Sequence, residues 1–117
     1  MITYDVISKK LAEVKPFDEG IICDQIEEII AEFQLTITQR TTLSTKKGSY
    51  HWHVKRGKQK GVLEITFWPA KGRLWLDIAE NRRAPWNIEI ITVVAEKLAY
   101  AFQGKIDTSG DGIDKKR

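Results

Sequence analysis

The chain has one cysteine, three prolines and no apolar run of the length a bilayer span requires. With Cys23 alone, an intramolecular disulfide and a cysteine-built zinc site are both excluded. A lone thiol also fits a reducing compartment. Without about 18 consecutive apolar residues there is no candidate transmembrane helix, and no membrane partner is expected. The opening residues, Met1 to Asp5, show no basic stretch leading into an apolar one, so no secretory signal is expected and the cytoplasm is the expected location. A nucleophile elbow, a glycine-rich phosphate loop and a paired general acid and base are also missing. An enzyme is therefore not the expected reading, and no cofactor is expected. No motif-level resemblance to a known family is present.

Basic residues are missing from one stretch and acidic residues are scarce in another. Between Asp18 and Phe33 there is no lysine or arginine, whereas Asp24, Glu27, Glu28 and Glu32 are present. Between Arg40 and Arg83 stand eleven basic side chains against three acidic ones, a net of +8. The remainder of the chain carries a net of −5, so the overall +3 conceals two oppositely charged regions. A folded layer with a concentrated field can attract a charged partner even when the whole molecule is nearly neutral.

The 117 residues suit one domain with a core of its own. Residues 2–14 fit two periods. Ile7, Leu11 and Val14 have helical spacing, Ile2, Tyr4 and Val6 alternate like a strand, and a short helix is the favoured reading. Asp18 is the expected N-cap of a helix over 18–33, whose apolar face is Ile22, Ile26, Ile29, Ile30 and Phe33. From Leu35 to Ala79 the period becomes two. Four strands are expected, over 35–44, 49–56, 62–68 and 73–79, joined by short turns containing Gly48, Gly57, Gly61, Pro69 and Gly72. Such connections predict an antiparallel meander. Pro85 opens a last helix over 85–103, and Gly104 is expected to end it. Residues 1–104 would form the domain and 105–117 a disordered tail.

The expected register supports itself. Pairing Leu43 with Tyr50, Tyr50 with Phe67 and Phe67 with Leu74 places Trp52, Val54, Leu63, Ile65, Leu76 and Ile78 on one apolar face. The other face then carries His51, His53, Lys55, Glu64, Thr66, Trp68, Arg73, Trp75 and Asp77, with Arg40 opposite His53. The two long helices must cover the apolar face. The expected fold is an α+β two-layer sandwich: a four-stranded antiparallel meander with both helices on one side and the second sheet face open.

Three constellations on that open face carry chemistry. Trp68 and Trp75 point outward beside Arg73, His51 and Lys55. Aromatic platforms within a cationic groove are a common way to hold single-stranded nucleic acid. The acids Glu64 and Asp77 oppose a phosphate-tracking role, and burial by a second subunit would equally explain outward tryptophans. Basic turns lie at both ends of the sheet. Lys55, Arg56, Lys58 and Lys60 sit in one hairpin with Arg82 and Arg83 nearby, and Lys46, Lys47 and Lys71 cluster at the other end. These would add affinity for phosphates without sequence specificity, or simply keep the surface hydrated. The third constellation is His51-Trp52-His53. Its two imidazoles face the same way, about 7 Å apart at Cα, with Glu64 and Asp77 across the strands. Read as a ladder, Arg40–His53–Glu64–Asp77 needs no ion. Read as ligands, His51, His53, Glu64 and Asp77 are the weak metal candidates, and a metal-dependent enzyme there is the third-ranked function. Cys23 between Ile22 and Asp24 reads as packing. The segment from Asp107 to Gly112 imitates the start of an EF-hand loop. Its bidentate glutamate would fall at position 118, so calcium is not expected.

The sequence thus predicts a small non-catalytic binding module. Its partner would be single-stranded nucleic acid or another polyanion, with homodimerisation or another protein contact through the same face as the alternative.

Overall fold

The computed structural model describes residues 1–108. The expected tail residues 109–117, and with them most of the EF-hand-like segment, lie outside the described residues. In chain order the elements are β1 (Ile2–Ile7), α1 (Lys9–Ala12), α2 (Glu19–Glu32), β2 (Thr36–Thr41), β3 (Tyr50–Lys55), β4 (Leu63–Trp68), β5 (Arg73–Ile78), α3 (Pro85–Ala101) and β6 (Lys105–Asp107). The class is α+β, with one antiparallel sheet of six strands in the order β2-β3-β4-β5-β1-β6.

Two strands more than expected enter the sheet, one from each end of the chain. Residues 2–7 form a strand rather than the favoured helix, because β5 has an unpaired edge that Ile2–Val6 can satisfy. The helical spacing of the same segment is real but short. Ser8 caps α1, its Oγ accepting from the Lys10 and Leu11 backbone N–H groups, and Leu11 is fully buried. Lys105–Asp107, expected to be tail, instead pairs with Asp5–Ile7 as β6.

The two long helices sit on the expected segments. Ile22, Cys23, Ile26, Ile29 and Ile30 make the buried stripe of α2. Asp18 does not cap it: residues 16–18 form a 3₁₀ turn that feeds directly into α2, and the Asp18 side chain makes no cap bond. Both helices end the same way. After α2, Gln34 takes a left-handed conformation (φ 61°), with Gln34 N–H bonded to Ala31 O and Leu35 N–H to Ile30 O. After α3, Gln103 does the same (φ 57°), with Gln103 N–H to Tyr100 O and Gly104 N–H to Ala99 O. These are Schellman ends with glutamine in the usual glycine place. Gly104 is needed for a different reason than helix termination: a Cβ there would collide with the backbone carbonyl of Ile7, where β6 joins β1. At the start of α3, Pro85 is the first helical residue. Buried Asn87 accepts from Ala84 N–H and donates to Val62 O and Arg82 O, fastening the helix to the β3–β4 hairpin.

Register follows the expectation in three strands and departs from it in the fourth. Tyr50 pairs with Phe67, Ile65 with Leu76 and Glu64 with Asp77. The inner face of Trp52, Val54, Leu63, Ile65, Phe67, Leu74, Leu76 and Ile78 is accordingly sealed, each side chain at 0% exposure, and it joins the helices in one core. In β2 the expected pairs Leu43–Tyr50, Thr41–Trp52 and Gln39–Val54 do not form. Ile37 pairs with Val54, a bulge intervenes, and Arg40 then pairs with Trp52. A bulge re-aims the residues beyond it. Arg40 therefore belongs to the helix side, where its Nε lies 3.2 Å from Glu27 Oε2, an oxygen that also accepts from Trp52 Nε1 at 2.8 Å.

Candidate functional site

The face of the sheet turned away from the helices is built by alternate residues of five strands. β3 contributes His51, His53 and Lys55; β4 contributes Glu64, Thr66 and Trp68; β5 contributes Arg73, Trp75 and Asp77. β1 adds Thr3 and Asp5, and β2 adds Gln39 and Thr41. Gln39, not Arg40, stands opposite His53, and Thr3 extends the ladder beyond Asp77.

This face is far less open than the sequence suggests. Trp75 lies on it as expected, outside the helix-side core, yet is only 7% exposed. The Arg73 guanidinium lies 4.4 Å from the centre of its ring, and Lys46 Nζ lies 5.9 Å from it. Trp75 Nε1 donates to Asp77 Oδ2. Arg73 is in turn held by Asp5, at 2.9 Å. Trp68 is half-buried. Its Nε1 donates to Lys47 O, and Lys46 and Lys71 place their ammonium groups 5.8 and 5.9 Å from its ring. The loop between β2 and β3, carrying Lys46 and Lys47, thus reaches back over the end of the face.

The centre of the face is a hydrogen-bonded imidazole–carboxylate cluster. His51 is 5% exposed and Thr66 is 1% exposed. His51 Nδ1 lies 2.7 Å from Thr66 Oγ1, and His51 Nε2 lies 3.1 Å from Glu64 Oε1. His53 Nε2 lies 3.8 Å from the same oxygen, and Arg82 Nη1 lies 3.9 Å from Glu64 Oε2. The hydrogen bond from His51, with support from His53 and Arg82, holds the Glu64 carboxyl below the usual carboxylate range. Burial lowers His53, only partly opposed by Glu64. Burial also raises Asp77, although its oxygens accept from Thr3 Oγ1 and Trp75 Nε1.

The basic residues divide by commitment. Arg56 does not face this surface. Its guanidinium turns to the helix side instead, donating to Phe33 O at the end of α2 and lying over Trp86 of α3. Arg83 pairs with Glu80. Lys47, Lys55, Lys58 and Lys60 have no ion-pair partner among the described residues, and Lys47, Lys58 and Lys60 are exposed. Arg82 stands by the β3–β4 hairpin, its carbonyl accepting from Val62 N–H. The two basic groups therefore occupy opposite ends of the face, as the turn positions imply. Among the described residues, surface cavities of about 670, 340 and 390 Å³ lie around α1, and of these the 390 Å³ cavity alone includes a residue of this basic set, Lys47.

The outer face and its central cluster are legible in the sequence; the cover over Trp75 and the recruitment of Arg40 and Arg56 to the helix side are not. Comparison with protein-family models, with curated proteins and with solved structures returned no match.

Proposed function

We propose that this chain is a non-catalytic binding module for a polyanion, single-stranded nucleic acid foremost, held at the two basic ends of the outer sheet face. The observation that carries this reading is the half-buried Trp68 flanked by Lys46 and Lys71, beside exposed Lys47. It offers one aromatic surface ringed by cations, a combination suited to a base and its phosphate. Lys58, Lys60 and Arg82 form the second anchor, about 20 Å away along six-residue strands. Trp75, sealed by Arg73 and Lys46, supports the face from below instead of stacking on the ligand. Its cover comes from its own chain, so no second subunit is needed to bury it.

Intrinsic fluorescence makes the test direct. Trp52, Trp75 and Trp86 are buried at 0%, 7% and 4% exposure, so Trp68 is the indole a ligand can reach. Titration with an oligodeoxythymidylate at low salt should quench it, and the affinity should fall with rising salt. Trp68→Phe should lose the quenching while anisotropy of a labelled oligonucleotide still shows binding. Lys58→Ala with Lys60→Ala should lower the salt slope by about 2. Absence of binding at low salt, or binding indifferent to salt, would remove the proposal.

A further inference from the structure

We propose that His51, His53 and Glu64 form a binding site for one divalent transition-metal ion, zinc first, at the centre of the outer sheet face. The backbone sets up the arrangement. Alternation along β3 turns both imidazoles to the same side, and the β3–β4 register places Glu64 directly across from His53. One ligand atom from each of the three residues lies within 4.8 Å of the other two. Ligands bonded at 2.0–2.2 Å to a tetrahedral ion stand roughly 3.3 Å apart, so small side-chain rotations close this set around a metal.

A hydrogen-bonded ladder accounts for part of this geometry only. The 3.1 Å contact from His51 Nε2 to Glu64 Oε1 is a good hydrogen bond. The 3.8 Å approach of His53 Nε2 to that same oxygen is too long for one. Among the described residues the His53 ring makes no other polar contact, only an edge-to-face approach to His51 at 5.1 Å. Two imidazole nitrogens thus converge on one carboxylate oxygen with a single hydrogen bond between them. Two nitrogens and an oxygen are a donor set suited to zinc.

The surroundings fit as well. Thr66 Oγ1, 1% exposed, lies 2.7 Å from His51 Nδ1. When Nδ1–H donates to that oxygen, the Nε2 lone pair faces the site, which is the usual outer support of a metal-bound histidine. Asp77 is not a ligand, because its two oxygens already accept from Thr3 and Trp75. Three protein ligands leave a fourth position for water or an incoming donor. A bound dication would also outweigh Glu64 and join the two basic ends of the face into one positive surface. That consequence depends on the polyanion reading; the metal site itself does not.

The test uses the full chain, without a histidine tag and stripped with chelator. Calorimetric titration with Zn²⁺ should show one ion per chain in the micromolar range or tighter, and Co²⁺ should give the visible absorption of a four-coordinate site. His53→Ala and Glu64→Gln, both at half-buried positions, should each weaken Zn²⁺ binding at least about tenfold, and Thr66→Val by about tenfold. Asp77→Asn should leave it unchanged. Circular dichroism establishes that each variant is folded. A wild-type chain that takes up no Zn²⁺, or a folded His53→Ala variant that binds as well as wild type, overturns the proposal, and neither result depends on oligonucleotide binding.

Discussion

The same strands bury side chains on both faces of the sheet, by different means. On the helix side, Leu63, Ile65 and Phe67 of β4 are sealed by apolar packing alone. On the other side, their neighbour Thr66 is just as inaccessible, and His51 and Trp75 nearly so. There the cover is a set of directed contacts: Thr66 to His51, His51 to Glu64, Trp75 to Asp77, and Arg73 and Lys46 over the indole. Buried polar groups are tolerated only when paired, and among the described residues no buried side-chain nitrogen or oxygen lacks a partner. Low exposure therefore does not separate core from site in this molecule. The kind of contact does: apolar packing is insensitive to direction, whereas the outer face would be rearranged by changing a single donor.

Adjacent residues of β4 allow the contrast to be measured. Phe67→Ala removes a ring at 0% exposure that stacks on Tyr50 at 5.9 Å, and should cost about 4 kcal/mol in denaturant unfolding. A loss under about 1 kcal/mol would mean that the helix side is not the true core. The next effect concerns Cys23, which is 1% exposed on the buried face of α2 and whose thiol is pushed by burial up to about 11. Near pH 8 its thiolate fraction should be roughly 100-fold below that of an ordinary cysteine. Its reaction with a disulfide reagent should therefore track unfolding and accelerate sharply in urea. Rapid reaction in the native state would show the helix layer opening locally. Thr66→Val keeps shape and removes one hydrogen bond from His51, so it should cost about 1–2 kcal/mol. If it cost as much as Phe67→Ala, the outer cluster would be a second core and the contrast would fail.

How much of this was legible depends on where each restraint comes from. The β3–β4–β5 register was readable because short glycine turns fix the pairing and Trp52, Val54, Leu63, Ile65, Leu74 and Leu76 alternate without interruption. The His51–His53–Glu64 cluster follows from that register alone. β2 was not readable in register: in Thr36-Ile37-Thr38-Gln39-Arg40-Thr41 only Ile37 is apolar, so a slip through a bulge displaces almost no hydrophobic surface. β6 has three residues and no period, and it forms only because β1 offers an edge. The N-terminal segment satisfied two periods because it contains both elements, a strand and then a turn of helix. The burial of Trp75 was hidden for another reason. Its cover is one lysine from a loop and one arginine two residues away, and neither has a hydrophobic signature.

That cover gives the smallest expected effect and the sharpest use of the contrast. The Arg73 side chain is 48% exposed, so its ion pair with Asp5 is screened by solvent and worth little. Its guanidinium over the indole adds about 0.5–1 kcal/mol at such a site. Arg73→Ala should therefore destabilise the fold by less than about 1 kcal/mol, because no apolar core surface is lost. The local consequence should be larger than the global one. With the guanidinium gone, Trp75 faces solvent, so its emission should shift to the red and become accessible to acrylamide while the unfolding midpoint scarcely moves. An unchanged spectrum would mean that Lys46 and the loop seal the ring unaided, whereas a loss of several kcal/mol would place the cation cover on the same footing as the apolar packing beneath the helices.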